Sequence, residues 1–323
     1  LRVVFMGTPE LAAAALAGLY EAGYELPLVV TQPDRVSGRG RQAAFSPVKA
    51  YAYSKGLRVD QPDSLRTKDT IYRIREAEPE VIVVAAFGML LPAPLLDMAP
   101  LGCLNIHTSL LPAYRGAAPI QWALLNGEGE TGVTIMRMDE GLDTGPILMQ
   151  EKLAIPEDMD YGELYNALSS LGARLLLDVL PQWAKGGIQA RSQNDDGASY
   201  VAKLTRKHEI IDWSCSSDAI RNQIRAFSPS PGASTGIGGK EIKVLQATRI
   251  SSEEQSRLCT EVQEHGVQAL PGQIAAILRR HGPVVATGDG FLLLTKVQPA
   301  GKKAMDAWSW LNGSRLSVGQ AFG

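Results

Sequence analysis

The sequence predicts two domains, a mostly parallel α/β sheet followed by a small β-barrel. Three observations carry this. The chain has 323 residues, beyond the roughly 250–300 at which a single core stops growing. Residues 1–200 alternate short apolar runs with helical stretches, the pattern of a parallel sheet covered by helices. After residues 186–204 that pattern gives way to short β-type runs separated by Gly and Pro, as in a small barrel.

Each element has its own reason. Val3–Met6 is a continuous apolar strand, and Gly7-Thr8-Pro9-Glu10 turns it into an Ala/Leu-rich helix ending near Gly23. Thr8 is expected as its N-cap, with Pro9 at the first helical position. Leu26–Val30 is the next strand. Thr31 to Pro47 is basic, Gly-bearing and aperiodic, with no apolar face to bury. Helices follow at Val48–Lys55 and about Thr67–Ala77. Glu80–Ala86, rich in Val and Ile, reads as a fully buried strand. Leu104–His107 and Val133–Met136 are short strands flanking a helix over Pro119–Asn126, and a long helix from about Tyr161 to Lys185 closes the unit.

Gly186-Gly187 and then Ser192-Gln193-Asn194-Asp195-Asp196-Gly197 are linker chemistry. The expected division is therefore 1–188 for the first domain, 189–206 for a linker and 207–323 for the second. The latter should hold a helix at Ser217–Ala226 and strands at Glu241–Gln246, Gln273–Leu278, Val284–Thr287 and Phe291–Val297.

Composition narrows the function. At 45% hydrophobic with net charge −2, the chain is not of the disordered class. Three isolated cysteines, Cys103, Cys215 and Cys259, cannot build a disulfide framework or a paired zinc site, and are expected as small buried thiols of a reduced, cytoplasmic protein. The most apolar run, Val81–Leu91, falls far short of the roughly 20 residues of a spanning helix. The residues from Leu1 read as a strand and a turn, not as a leader. Near-neutrality is itself an average. Residues 1–200 carry −7 and residues 201–323 carry +5, an asymmetry that points to a polyanionic partner held by the second domain.

Of four histidines, His208, His265 and His281 sit in charged neighbourhoods and look solvated. His107 differs, because it ends the apolar strand Leu104-Asn105-Ile106-His107. Strand C-terminal ends face the ligand crevice in parallel sheets. The two-residue period puts Asn105 and His107 on one face. An amide beside an imidazole can serve one small substrate group as donor and proton carrier; a polar pair capping the sheet is the alternative.

Asp139-Glu140-Gly141-Leu142-Asp143-Thr144-Gly145-Pro146 follows the strand Val133–Met136. Glycines on both sides of Asp143 suit a tight loop that could bring a carboxylate to His107, orienting the ring and stabilising its protonated form. An acidic surface turn is the other reading. The loop after the first strand, Gly7-Thr8-Pro9-Glu10, lacks the glycines of a dinucleotide fingerprint and the Gly-Lys-Ser/Thr of a P-loop, so NAD is not expected. Arg35, Arg39 and Arg41 alternate with glycines, either as a solvated loop or as phosphate contacts. Lys203, Arg206 and Lys207, Arg279-Arg280, and Lys302-Lys303 are further cationic clusters.

Taken together, several segments resemble the methionyl-tRNA formyltransferase family. They are Phe5–Glu10, Asn105-Ile106-His107-Thr108-Ser109-Leu110-Leu111-Pro112, Arg115–Gln121 and Asp143-Thr144-Gly145-Pro146-Ile147-Leu148. Thr31–Arg35 through Ser46–Lys49 resembles the family's insertion loop. Asp212-Trp213, Ile224–Phe227 with Pro231–Ala233, and Gln298–Lys303 resemble its C-terminal domain.

The resemblance implies a Rossmann-like catalytic domain, an OB-like barrel, and formyl transfer from 10-formyltetrahydrofolate to the amine of methionyl initiator tRNA. It implies Asn105, His107 and Asp143 as catalytic residues, and Phe87, Gly88, Met89, Leu90 and Leu91 with Ser109, Leu110, Leu111 and Pro112 around the folate. Arg35, Arg39, Arg41, Lys203, Arg206, Lys207, Lys302 and Lys303 would contact tRNA. Neither metal nor NAD is implied, no membrane partner is expected, and the protein is expected as a monomer. Family members often carry Arg where this chain has Ala113 and Trp122, and Trp near Ser230, so tRNA contacts there are expected to differ. Related formyltransferases of amino sugar nucleotides or of glycinamide ribonucleotide, and formyltetrahydrofolate hydrolases, share the catalytic domain. The glycinamide ribonucleotide enzyme is expected to lack the second domain, and the other two would not need the Arg35–Arg41 loop together with a basic second domain. A non-catalytic RNA-binding protein would not need Asn105, His107 and Asp143.

Overall fold

The computed structural model describes residues 1–36, 43–250, 253 and 269–323. It divides into two compact units, the first formed by 1–119, 130–155 and 165–202, the second by 120–129, 156–164 and 203–323.

The first unit is built on a seven-stranded sheet. Its strands are β1 (Arg2–Gly7), β2 (Glu25–Val30), β5 (Val59–Asp60), β6 (Val81–Ala85), β7 (Cys103–His107), β9 (Glu130–Arg137) and β10 (Ile147–Ala154), in the order β10-β9-β7-β6-β1-β2-β5. From β5 to β7 every pairing is parallel, while β9 and β10 run antiparallel. Central strands covered on both faces must be apolar throughout, and Val3, Val4, Phe5, Met6, Val81, Ile82 and Val83 are each 0% exposed. Strand β10 does not show in the apolar pattern because its middle, Gln150-Glu151-Lys152, is polar, with Gln150 and Glu151 half-buried and Lys152 exposed.

Short strands β3 (Arg35–Val36) and β4 (Ala43–Ala44) pair with each other, and β8 (Arg115–Gly116) pairs with β11 (Tyr200–Val201). Helix α1 (Glu10–Glu21) buries Leu11, Ala12, Ala15, Leu16 and Leu19, one helical stripe. Pro9 is its N-cap and makes no side-chain cap. Thr8 does not cap it as expected, because its hydroxyl is used elsewhere. The Thr8 Oγ1 spans the Phe87 carbonyl and the Gln32 N–H, both at 3.5 Å. Helix α2 (Pro47–Ser54) starts on Ser46, which accepts from the Lys49 N–H, and α3 (Lys68–Glu76) on Thr67 in the same way. A short α4 (Ala93–Leu96) follows β6, and α6 (Tyr161–Ala184) is the long helix expected over 161–185.

The ends of the basic segment are anchored, contrary to its reading as a loop without burial. Thr31 is fully buried and shares a 2.9 Å hydrogen bond with Ser46. Asp34 meets Lys49 and the Gln61 amide, which hold its carboxyl below the usual range.

In the second unit, α5 (Pro119–Leu125), α7 (Arg206–Glu209), α8 (Ser217–Phe227) and α9 (Ala307–Ser314) accompany an antiparallel sheet. Its strands are β12 (Ala233–Ile237), β13 (Lys240–Arg249), β14 (Ile274–Leu278), β15 (Gly282–Ala286), β16 (Phe291–Pro299) and β17 (Met305–Asp306), with the order β12-β13-β16-β15-β14 and β17 on β16. Residues 319–323 close it into a barrel. The Gly323 N–H donates to the Gly236 carbonyl in β12, while the Phe322 and Gly319 N–H groups donate to the carbonyls of Gly272, just before β14, and of Ile274, its first residue. Trp213 is buried against Phe322 and donates its Nε1–H to Thr235 at 3.0 Å.

The segment 189–206, expected as a linker, is largely structured within the first unit. Arg191 exchanges two backbone hydrogen bonds with Ile147 (2.8 and 2.9 Å), and β11 lies on β8. The segment is held by these backbone pairings while Ser192, Asn194, Asp195 and Asp196 stay exposed, which is why its composition reads as a linker.

Among the described residues no helix is long and apolar enough to cross a membrane. Cys103 is buried, and burial pushes its thiol up to about 12. Cys215 is exposed, against the expectation of burial, and Cys259 lies outside the described residues. Because the thiolate is the reactive form, brief maleimide treatment of the native protein at neutral pH should label Cys215 and spare Cys103 in a peptide map. Equal labelling would contradict this placement.

Candidate active site

The candidate site lies in the first unit, at the C-terminal end of β7. His107 is the last residue of that strand and pairs with Thr134 on β9, while Asn105 pairs with Met136. Asn105 is half-buried, and its side-chain amide makes no hydrogen bond among the described residues. A half-buried amide left in that state keeps its donors for a ligand.

His107 is hydrogen-bonded through one ring nitrogen and faces a carboxylate with the other. Its Nε2 lies 3.0 Å from the Tyr114 carbonyl. A carbonyl can only accept, so this nitrogen carries a hydrogen and Nδ1 is turned to the other side. There Asp143 Oδ2 stands 3.7 Å away, beyond direct hydrogen-bond distance. The ring is nearly buried at 6% exposed. A carboxylate at that range balances positive charge on the ring, and the remaining gap leaves Nδ1 open to a substrate atom or a water.

Asp143 is itself fixed. Its Oδ2 accepts the Gly116 N–H at 2.8 Å, and its backbone has φ 55°. Tyr114 and Ala118 share this left-handed conformation, at φ 60° each. Non-glycine residues there cost of order 1–3 kcal/mol and persist only where surroundings over-determine them. Those surroundings come from residues 193–201. The Tyr114 N–H donates to Ser199 Oγ, the Arg115 N–H to the Ser199 carbonyl (both 2.8 Å) and the Ala117 N–H to the Val201 carbonyl (3.0 Å). Asp139, in the same acidic constellation as Asp143, serves the loop, accepting from the Gly141 N–H and the Thr144 hydroxyl.

Arg115 is 1% exposed. Its guanidinium donates to Gln193 Oε1 (3.1 and 2.8 Å), to the Tyr200 hydroxyl (2.8 Å) and to Asp195 (2.9 Å). Burial alone would lower its pKa, but the hydrogen bonds to Tyr200 and Asp195 carry it upward instead. Gln193 uses its amide nitrogen on the Asp143 and Gly145 carbonyls, at 2.8 and 2.7 Å.

The residues expected around folate form two loops. Phe87 and Leu91 are buried at 2% and 8%, Gly88 and Leu90 are exposed, and Met89 is half-buried. Gly88 has φ 78°, and a Cβ there would come within 2.6 Å of Gln32 Nε2, which donates to the Phe87 carbonyl. Only glycine fits. In the second loop Ser109 and Leu111 are buried and Leu110 and Pro112 half-buried. Thr134 pins it, donating to the Ser109 carbonyl at 2.7 Å and accepting the Leu111 N–H at 3.1 Å, while the Gln150 amide donates to the Leu111 carbonyl. The roles of Thr134, Gln150 and Gln193 escaped the sequence reading, and Arg115 entered it only as the start of a family-like segment, since each acts on partners remote in sequence.

Arg39 and Arg41 lie outside the described residues, and Arg35 falls in β3. Lys203, Arg206, Lys207, Lys302 and Lys303 are exposed in the second unit. Arg206 is ion-paired with Glu241 at 3.1 Å, so a phosphate there must compete with a carboxylate. His208 caps its own helix through Thr205 and meets the Trp122 ring, and is thus less solvated than expected. His281 is exposed, and His265 lies outside the described residues. Among the described residues no group of three or more His, Cys, Asp or Glu is placed to hold a metal ion.

Gly116 has φ 106°, and a Cβ on it would sit 2.6 Å from the Val201 carbonyl. Gly116→Ala should therefore lower stability by about 1–3 kcal/mol and impair turnover, read as thermal midpoint and rate. An unchanged midpoint would count against the β8–β11 pairing.

Comparison with known proteins adds independent findings. Residues 1–180 match the family model described as formyl transferase, and residues 203–315 match that described as formyl transferase, C-terminal domain. The chain is 46% identical over 323 residues to a methionyl-tRNA formyltransferase of Carboxydothermus hydrogenoformans, covering 100% of this chain and 99% of that one. It is 42% identical over 322 residues to the enzyme of that name from Symbiobacterium thermophilum, covering 100% and 95%. Among solved structures, HypX from Aquifex aeolicus with tetrahydrofolic acid aligns at TM-score 0.65 and 17% identity, over 98% of this chain and 48% of that one. The sugar 3N-formyl transferase WlaRD, with dTDP and 5-N-formyl-THF, aligns at TM-score 0.64 and 18% identity, over 94% and 99%. At such identities the two structures speak to the fold alone.

Proposed function

The chain belongs to the methionyl-tRNA formyltransferase family, and on that premise we propose how its site works. It transfers the formyl group of 10-formyltetrahydrofolate to the amino group of methionyl initiator tRNA. What carries the reading is the meeting, at one strand end, of an uncommitted Asn105 amide with a His107 ring backed by Asp143.

The methionyl amine attacks the formyl carbon, a C–N bond forms, and the carbonyl oxygen gains negative charge. Asn105 and the protonated His107 stabilise that oxyanion, and Asp143 balances the ring's charge. As the intermediate collapses, the bond to the folate N10 breaks. The attacking nitrogen loses a proton and N10 takes one up, a transfer the His107–Asp143 pair can assist directly or through water. Fixed donors aimed at developing charge need no reorganisation during the reaction, and each is worth about 10²–10³ in rate.

Phe87–Leu91 and Ser109–Pro112 line the folate pocket, largely through backbone groups. The Arg35–Arg41 loop meets the acceptor stem, with Lys203, Arg206, Lys207, Lys302 and Lys303 on phosphates. We take the enzyme to act as a monomer in the cytoplasm, where its tRNA substrate is charged and used.

His107→Ala should abolish formylation of methionyl-tRNA while folding and tRNA binding persist, and Asn105→Ala should slow it by about 10²–10³. Near-normal turnover of His107→Ala would refute the assignment. Apparent tRNA affinity should fall steeply with salt, and the log–log slope should shrink by about one on neutralising Lys302 and by about as much again for Lys303. A slope untouched by either change would remove these lysines from the interface.

A further inference from the structure

We infer that Gln193 is a positioning residue for Asp143, and that residues 191–201 form the rear wall of the catalytic site. This rests on the formyl-transfer reading of that site.

The geometry leaves Gln193 one orientation. Its Oε1 accepts twice from the buried Arg115 guanidinium, and its Nε2 donates to the carbonyls of Asp143 and Gly145. Reversing the amide would set N–H against guanidinium and oxygen against both carbonyls. Four polar contacts thus agree on a single rotamer.

Those two carbonyls fix the strained turn that carries Asp143. The carboxylate is fixed from the same source, because the Gly116 N–H that it accepts belongs to β8, and β8 is held by β11. The other partner of His107 depends on this wall as well. The Tyr114 carbonyl takes the Nε2–H, and the Tyr114 N–H is anchored on Ser199. Both groups that orient the ring therefore hang on residues 193–201. Arg115 secures the wall in turn, through Asp195 and Tyr200. Among the described residues the Gln193 side chain meets only the Arg115 guanidinium and the Asp143 and Gly145 carbonyls, so it acts through Asp143 rather than on the reacting atoms.

The test is steady-state formylation by the full chain with 10-formyltetrahydrofolate and methionyl-tRNA, alongside thermal midpoints. Gln193→Glu keeps an acceptor for Arg115 but offers no N–H to the two carbonyls. It should be nearly as slow as Gln193→Ala, with kcat down about 10²-fold as expected for misplaced catalytic geometry. KM for either substrate should change by no more than about twofold. Because Gln193 acts through Asp143, Asp143→Ala/Gln193→Ala should be no slower than Asp143→Ala. Wild-type kcat in Gln193→Glu would overturn the inference. So would losses that multiply in the double variant, or a rise in KM at unchanged kcat. Should Gln193→Ala fail to fold, Gln193→Glu alone decides. If the wild-type chain formylates a different amine, the substrate reading fails, and the same variant ratios measured on that amine still decide the role of Gln193.

Discussion

A guanidinium buried to 1% exposure organises the catalytic unit. A charge in that position is tolerable only if it is paired and fully hydrogen-bonded. Arg115 has no acceptors of its own nearby in sequence; they come from Gln193, Asp195 and Tyr200, about eighty positions along the chain. Satisfying one charge therefore obliges the chain to return, and its return closes the β8–β11 ladder. The constraint is local in space and remote in sequence, and the shape of the acidic loop follows from it.

Against this rear wall the sheet supplies the front. The period of a strand places Asn105 and His107 on one face, and the change from parallel to antiparallel pairing sets Thr134 beside His107. Thr134 and the neighbouring Gln150 hold the loop from Ser109 to Leu111 by its carbonyls and amide. The site is thus shaped by backbone groups that side chains from other elements keep in place. Such a site can be rigid without being densely charged, which suits a reaction whose charge appears only in the transition state.

How much of this could be read from the sequence depended on the range of the signal. Strands β1, β6 and β7 announce themselves as apolar runs because both faces are covered. His107 and Asn105 stand out because polar residues end such a run. Asp143 stands out through its flanking glycines. Strand β10 does not, since its polar middle breaks the run. Gln193 lies among Ser, Asn, Asp and Gly, which is also the composition of a solvated linker, and only the fold reveals that Gln193 and Asp195 meet Arg115 and that Gln193 also holds two carbonyls. Thr8 has the residue type and position of a cap, yet a hydroxyl within reach of Phe87 and Gln32 had a competing use. The net charge was legible only after division, −7 against +5.

The barrel of the second unit is closed by residues 319–323, which bridge β12 and the start of β14. Synthesis runs from the N-terminus, at about 5–20 residues per second. All six strands of this sheet are therefore made before the piece that joins its two edges exists. During that interval β12 and β14 offer unpaired N–H and C=O groups to any neighbouring strand. A chain truncated before residue 319 would therefore leave both edges open to mispairing.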